Sequence, residues 1–256
     1  MLWHKAWLET RWRFLIGMAL LFIMACSVVL TYHTVQQLMP LASSVSRQGG
    51  ALGRLVGEAA AIESTYRGYV WWQWFRQNLC QAWVLFALLL GTGGLTLQGT
   101  RGGALYTLSL PVSRTRLLAV RASTGLAELA VLAFIPSGVI TVLSPVIAQS
   151  YGVGDVLVHG VCLFLAGSVV FCLTVFLSTH FADAWTPALL TLIVVVVLAA
   201  AEFVAPALAP YGLFRTMSGE SYLLHGTLPW AGLIVSVMVS AVLLLAADRN
   251  LRARDF

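Results

Sequence analysis

Six stretches of mostly apolar residues, at about 14–32, 79–97, 117–147, 156–178, 187–208 and 228–247, dominate this chain. Each is long enough to cross the roughly 30 Å hydrocarbon core of a bilayer as a helix. A backbone in that solvent must satisfy its own hydrogen bonds, so the expected fold is all-α: a polytopic membrane protein with six transmembrane helices in a single domain over 1–256. Composition points the same way, with 59% hydrophobic and 10% charged residues, against about 25% charge in a water-facing domain. An ordinary cytosolic enzyme, a disordered tail and a disulfide-stapled secreted module are excluded.

The third stretch is too long for one simple crossing, and Pro136 and Pro145 predict a kink or a short outer extension. Pro206 and Pro210 interrupt the fifth, so 205–227 should break into external half-helices before the last span. Basic residues concentrate on cytoplasmic loops. With the N-terminus inside, the inner segments hold Lys5, Arg11, Arg13, Arg101, Arg114, Arg116, Arg121, Arg249, Arg252 and Arg254. The outer segments hold only Arg47, Arg54, Arg67, Arg76 and Arg215. Both termini are therefore expected to be cytoplasmic, and the net charge of +5 reflects topology rather than a nucleic-acid partner. The apolar run Phe14 to Leu30 exceeds the usual 7–15 residue signal core, which predicts an uncleaved first span.

Residues 1–13 place Trp3, Trp7, Thr10 and Phe14 on one helical stripe, with Lys5, Glu9 and Arg13 near the opposite side. The pattern predicts an amphipathic helix lying in the inner interface. The outer loop 33–78 is too long for a turn. It keeps a helical period from Leu52 to Tyr66 and ends in Trp71, Trp72, Trp74 and Phe75, which predict an aromatic belt at the outer interface.

Several chemistries are missing. The one lysine, Lys5, rules out a phosphate-binding GxxxxGK[ST] loop. The five histidines show no metal-ligand spacing. The fragments Pro136-Ser137-Gly138, Ala166-Gly167-Ser168 and Met217-Ser218-Gly219 do not match a serine intramembrane protease, and no paired glutamates accompany the FxxxH spacing from Phe176 to His180. No catalytic residue, metal or cofactor is assigned to this chain. Cys26, Cys80, Cys162 and Cys172 read as small packing residues. Two acidic residues fall within spans, Glu128 and Glu202, and intramembrane charge is costly enough to require a path, a partner helix or a bundle hydrogen bond.

The inner loop 98–116 releases span two at its glycines, allows a short helix from Ala104 to Leu110, and stops at Pro111. Ser113 is then a natural N-cap for span three. Arg114 and Arg116 oppose the helix dipole there. Here the sequence resembles the type-2 ABC transporter permeases, through Leu108-Ser-Leu-Pro-Val-Ser-Arg114, with Gly102 and Leu105 before it and Leu117-Leu118 behind. The layout is similar along the whole chain. Gln98 and Arg121 depart from the glutamate and lysine frequent in that family.

The resemblance implies an exporter subunit in a bacterial inner or plasma membrane, dimeric with a second copy or a paralogue. Separate ATPase subunits would bind ATP and Mg and dock at Gly102, Leu105, Leu108, Leu110, Pro111, Ser113, Arg114 and Arg116. Two other classes fit the composition: a proton-coupled secondary transporter using Glu128, and a non-transporting membrane partner such as an immunity component. Gly232, Ser236 and Ser240 at i,i+4 spacing give the last span a close-packing face, expected to turn into its own bundle.

Overall fold

The computed structural model describes residues 2–46, 57, 59–92, 113–181, 183, 185–205 and 210–253, and all regular structure among them is helical. Helix α1 runs unbroken over Leu2–Ser46. Helix α2, Tyr66–Val70, continues through a π-helical segment, Trp71–Leu79, into α3, Cys80–Gly91, so that Tyr66–Gly91 forms one rod. Then follow α4, Arg114–Leu143, with a 3₁₀ turn at Ser144–Ile147; α5, Val153–Ser178; and α6, Trp185–Val204. Two short helices, α7 Leu213–Ser218 and α8 Glu220–His225, precede α9, Trp230–Ala253.

Five of these helices are long and apolar enough to cross a membrane: the first 37 residues of α1, α4 with its 3₁₀ turn, α5, α6 and α9. The second expected span differs. Its α-helical part, α3, has 12 residues, about 18 Å at 1.5 Å per residue, and reaches further only by joining the π segment and α2. Residues 2–13 are the first turns of α1 and run without a break into the first span. No Gly or Pro stands between Leu2 and Phe14 to end a helix, and bonds from Thr10 and Arg13 hold these turns to the bundle.

Cross-links fix the directions of the helices. Arg13 of α1 meets the end of α3, whereas Tyr32 further along α1 packs on Tyr66 at the rod's start, with ring centroids 4.9 Å apart. The rod therefore runs antiparallel to α1. Tyr66 also shares a 2.6 Å hydrogen bond with Ser144 beyond the end of α4, so α4 runs parallel to α1. Ser168 of α5 bonds Ser240 of α9 at 3.0 Å, and Asn250 of α9 donates to Thr179 at the end of α5. Helix α1 thus begins and α9 finishes at one end of the bundle.

Helix α5 is the centre and α6 the periphery: 61% of the most apolar window of α5 is buried inside the chain, but only 17% of that of α6. Small residues let large ones approach the core. A Cβ on Gly167 would lie 2.2 Å from Trp83 Nε1, so the indole occupies the place of a side chain. Gly232, Ser236 and Ser240 are buried against the chain itself, where a Cβ on Gly232 would meet Thr216 Oγ1 at 2.2 Å. Pro136 sits inside α4 without ending it. Beside it, Ser137 Oγ donates to the Ala133 carbonyl at 2.7 Å and accepts from Trp74 Nε1 at 3.0 Å. Pro145 is the second residue of the 3₁₀ turn, which closes on Ala148 at φ 55°. Cys80, Cys162 and Cys172 are buried free thiols, and Cys26 is a half-buried one.

Candidate functional site

Gly102, Leu105, Leu108, Leu110 and Pro111 of the expected docking loop lie outside the described residues. Its last residues are visible. Ser113, in extended conformation, caps α4 by accepting from the Arg116 N–H at 3.4 Å; Arg114 opens the helix and Arg116 is exposed. The segment 93–112 leaves from Thr92 and returns at Ser113, at the end where α1 begins and α9 finishes.

A polar junction stands at Thr92, the last described residue before that segment. The last carbonyls of an α-helix have no intrahelical donor and carry the negative end of its dipole. Arg13 Nη1 of α1 reaches two of these acceptors, the Leu89 carbonyl at 2.5 Å and the Thr92 carbonyl at 2.8 Å. Arg121 Nη2 of α4 reaches the Thr92 carbonyl at 3.3 Å. Two cations from two helices therefore cap a third. A cavity of about 50 Å³ opens beside this junction, with Lys5, Glu9, Thr10 and Arg121 in its wall.

Glu128 lies two turns beyond Arg121 on the same helix and is buried, 3% exposed. Its Oε1 accepts from Thr10 Oγ1, while its Oε2 is buried with no hydrogen-bond partner among the described residues. Glu202 has a local explanation: Oε1 accepts from the Phe214 N–H at 2.9 Å, placing a carboxylate at the N-terminal end of α7, where unpaired N–H groups point out. Asp183 does the same for α6, accepting from the Thr186 N–H at 2.7 Å, and that bond holds its carboxyl below the usual range.

At the opposite end the aromatic residues pack into the bundle. Trp71 and Trp74 are fully buried, Phe75 nearly so, and Trp72 is half-buried. The reason is polar as much as apolar, because buried indoles need partners. Trp71 Nε1 donates to the Ser218 carbonyl at 2.7 Å, and Trp74 Nε1 finds Ser137. The Ser218 carbonyl also takes His159 Nδ1 at 3.0 Å, which places a proton on Nδ1. His159 Nε2 and the Tyr151 hydroxyl are both buried without a partner among the described residues. Burial raises the Tyr151 phenol well above its ordinary value. Over this layer Arg67 forms a bidentate pair with Asp155, at 2.7 and 3.0 Å, and Tyr222 donates to the same carboxylate at 3.2 Å.

The cations described at this end have acidic neighbours: Arg67 has Asp155, Arg76 has Glu220, and Arg215 shares a cavity wall with Glu202. Among the described residues no group of three His, Cys, Asp or Glu is placed to hold a metal ion. Sequence reasoning put Thr10 on the apolar stripe and missed its partner. No local signal links residues 118 positions apart. It also missed the Arg13, Thr92 and Arg121 junction, whose only trace is arginine at both flanks.

Compared with known proteins, the chain matches no family model, no curated protein and no solved structure.

Proposed function

We propose that this chain is the membrane-spanning permease subunit of an ATP-driven exporter. It crosses the membrane six times, the rod Tyr66–Gly91 being the sixth span, with both ends in the cytoplasm. The carrying observation is the junction of Arg13 and Arg121 on the Leu89 and Thr92 carbonyls. It sits at the root of 98–116, the segment that resembles the ATPase-docking loop of type-2 ABC permeases, and ties that root to two further helices. A force applied to the loop by an ATPase would thereby reach α1, α3 and α4 together.

The charge distribution supports the orientation. Arg11, Arg13, Arg116, Arg121, Arg249 and Arg252 belong to the end where α1 begins and α9 finishes, in keeping with the positive-inside rule. The exposed Trp3 and Trp12 suit an interfacial position for the first turns of α1. A single chain of this size contains no ATPase motif, so the energy source and the second half of the pathway come in trans, from ATPase subunits and from a second copy or paralogue.

Co-purification tests the reading. The full chain, expressed with its genomic neighbours, should retain a nucleotide-binding subunit, and Leu108→Asp should release it while the membrane subunit keeps its elution volume. Retention unchanged by Leu108→Asp would reject docking at this loop. A second reading, proton-coupled secondary transport, is favoured by the half-satisfied carboxyl of Glu128. Transport that continues without ATP and stops when the proton gradient collapses would select it.

A further inference from the structure

A polar cavity of about 220 Å³ lies between the rod, the end of α6 and the two short helices, with Arg76, Glu202, Phe203, Phe214, Arg215 and Glu220 in its wall. We infer that it is a seat for the head group of a zwitterionic phospholipid of the phosphoethanolamine type, whose acyl chains lie along α6.

Depth is the first argument. Helix α6 has 20 residues, about 30 Å at 1.5 Å per residue, which equals the hydrocarbon core of a bilayer. Glu202 stands at the last turn of that helix, so the cavity beside it is at head-group level. Volume is the second. The cavity is smaller than the roughly 300–1,000 Å³ of sites that enclose a whole drug-sized ligand. It takes a head, with the remainder outside. The surface leading away from it is suitable for acyl chains: Phe203 is 82% exposed, and Val196 and Val197 further down α6 are more than half exposed.

Charge selects the class of head. The wall carries two guanidiniums and two carboxylates. A pure anion would face Glu202 and Glu220, and a pure cation would face Arg76 and Arg215. A phosphate joined to an ammonium meets both pairs. The site is also open to exchange, because Arg76 and Glu220 approach only to 3.9 Å, beyond hydrogen-bond distance. Arg76 is meanwhile held over the Trp72 ring at 4.4 Å and the Trp71 ring at 5.4 Å, which aims its guanidinium without using up its donors. Glu202 is engaged by α7 through the Phe214 N–H. That leaves Glu220 as the acceptor for an ammonium N–H, a bond that a quaternary choline head cannot donate.

The inference depends on the membrane environment alone and stands whether or not an ATPase docks. The test is native mass spectrometry of the delipidated full chain in detergent, offered equimolar phosphatidylethanolamine, phosphatidylglycerol and phosphatidylcholine of identical acyl chains. Phosphatidylethanolamine should be retained above both others. Arg215→Gln and Glu220→Gln should each lower that retention by about fivefold, the order expected for losing one charge-assisted hydrogen bond. Thermal melting of the variants should match wild type, and Arg76→Gln provides a third variant should either not. Equal retention of the three lipids, a preference for phosphatidylglycerol, or retention unchanged in every folded variant would overturn the proposal. So would glycerophosphoethanolamine, which lacks acyl chains, competing as tightly as the lipid.

Discussion

Thr10 of α1 donates its hydroxyl hydrogen bond to Oε1 of Glu128 on α4, across 118 residues of chain, and is the one described side chain that satisfies this carboxyl. Both residues are buried. Thr10→Val keeps the shape and removes the donor, leaving a buried carboxyl with two unpartnered oxygens. The expected cost is about 1–3 kcal/mol, the desolvation penalty of an abandoned acceptor. Glu128→Gln keeps an acceptor for Thr10 and should cost less. Melting temperatures in one detergent check both, and equal midpoints for Thr10→Val and wild type would show that the bond contributes nothing.

Gly219 and Gly226 both have positive φ, at 66° and 70°, but their surroundings differ. A Cβ on Gly219 would lie 2.6 Å from His159 Nδ1, whereas nothing lies within 4 Å of one on Gly226. Gly226→Ala should cost only the left-handed penalty, about 1–2 kcal/mol. Gly219→Ala should cost more, since it also pushes His159 off the Ser218 carbonyl. A difference in unfolding midpoint between the two alanine variants measures the contact, and no difference would mean that the loop moves aside freely.

Glu63 lies outside the apolar spans, and burial raises its carboxyl above the ordinary value, partly offset by the 2.8 Å bond from Gln73 Nε2. The folded state therefore holds this proton more tightly than the unfolded one. Its contribution to stability is fully present below the unfolded value of about 4.3 and is lost as pH rises through the raised folded value. Glu63→Gln keeps the acceptor for Gln73 and cannot ionise. It should melt higher than wild type at pH 7.5, with the gap closing by pH 4. A gap that is constant with pH would assign the effect to something other than ionisation.

Arg13 and Arg121 converge on the Thr92 carbonyl at 2.8 and 3.3 Å, from different helices. Residues sharing one acceptor couple, so a double-mutant cycle with Arg13→Gln and Arg121→Gln should show non-additivity of at least about 0.5 kcal/mol. Strict additivity would mean that each arginine acts alone. If the exporter reading holds, the same pair should lower transport per ATP hydrolysed in reconstituted vesicles, with little loss of ATPase binding.

The apolar runs were the legible part of the sequence, because a bilayer imposes length and composition on each helix by itself. Helix α5 falls within a few residues of its expected limits for that reason, and Ser113 caps α4 through chemistry visible in five residues. The polar content of the interior was not legible. Trp71, Trp74 and Phe75 look like a belt by composition, yet the π turn carries them inward to Ser218 and Ser137, which belong to other helices. The polar, charged start has the pattern of a separate element, but nothing between Leu2 and Phe14 breaks a helix, so it belongs to α1. In the sequence Glu202 is only a costly charge, and the return of α7 beside it shows that it serves the Phe214 N–H.

The helices that meet at Thr92 meet again at their far ends, where Tyr32 of α1 packs on Tyr66 of the rod and Tyr66 bonds Ser144 after α4. Three struts pinned at both ends are expected to move as one body. Sliding any one of them by a residue's rise of about 1.5 Å would pull guanidiniums from carbonyls at one end and part the tyrosines at the other. Relative motion within the described bundle is therefore expected on the side of α6, whose most apolar window is the least buried of the five candidate spans.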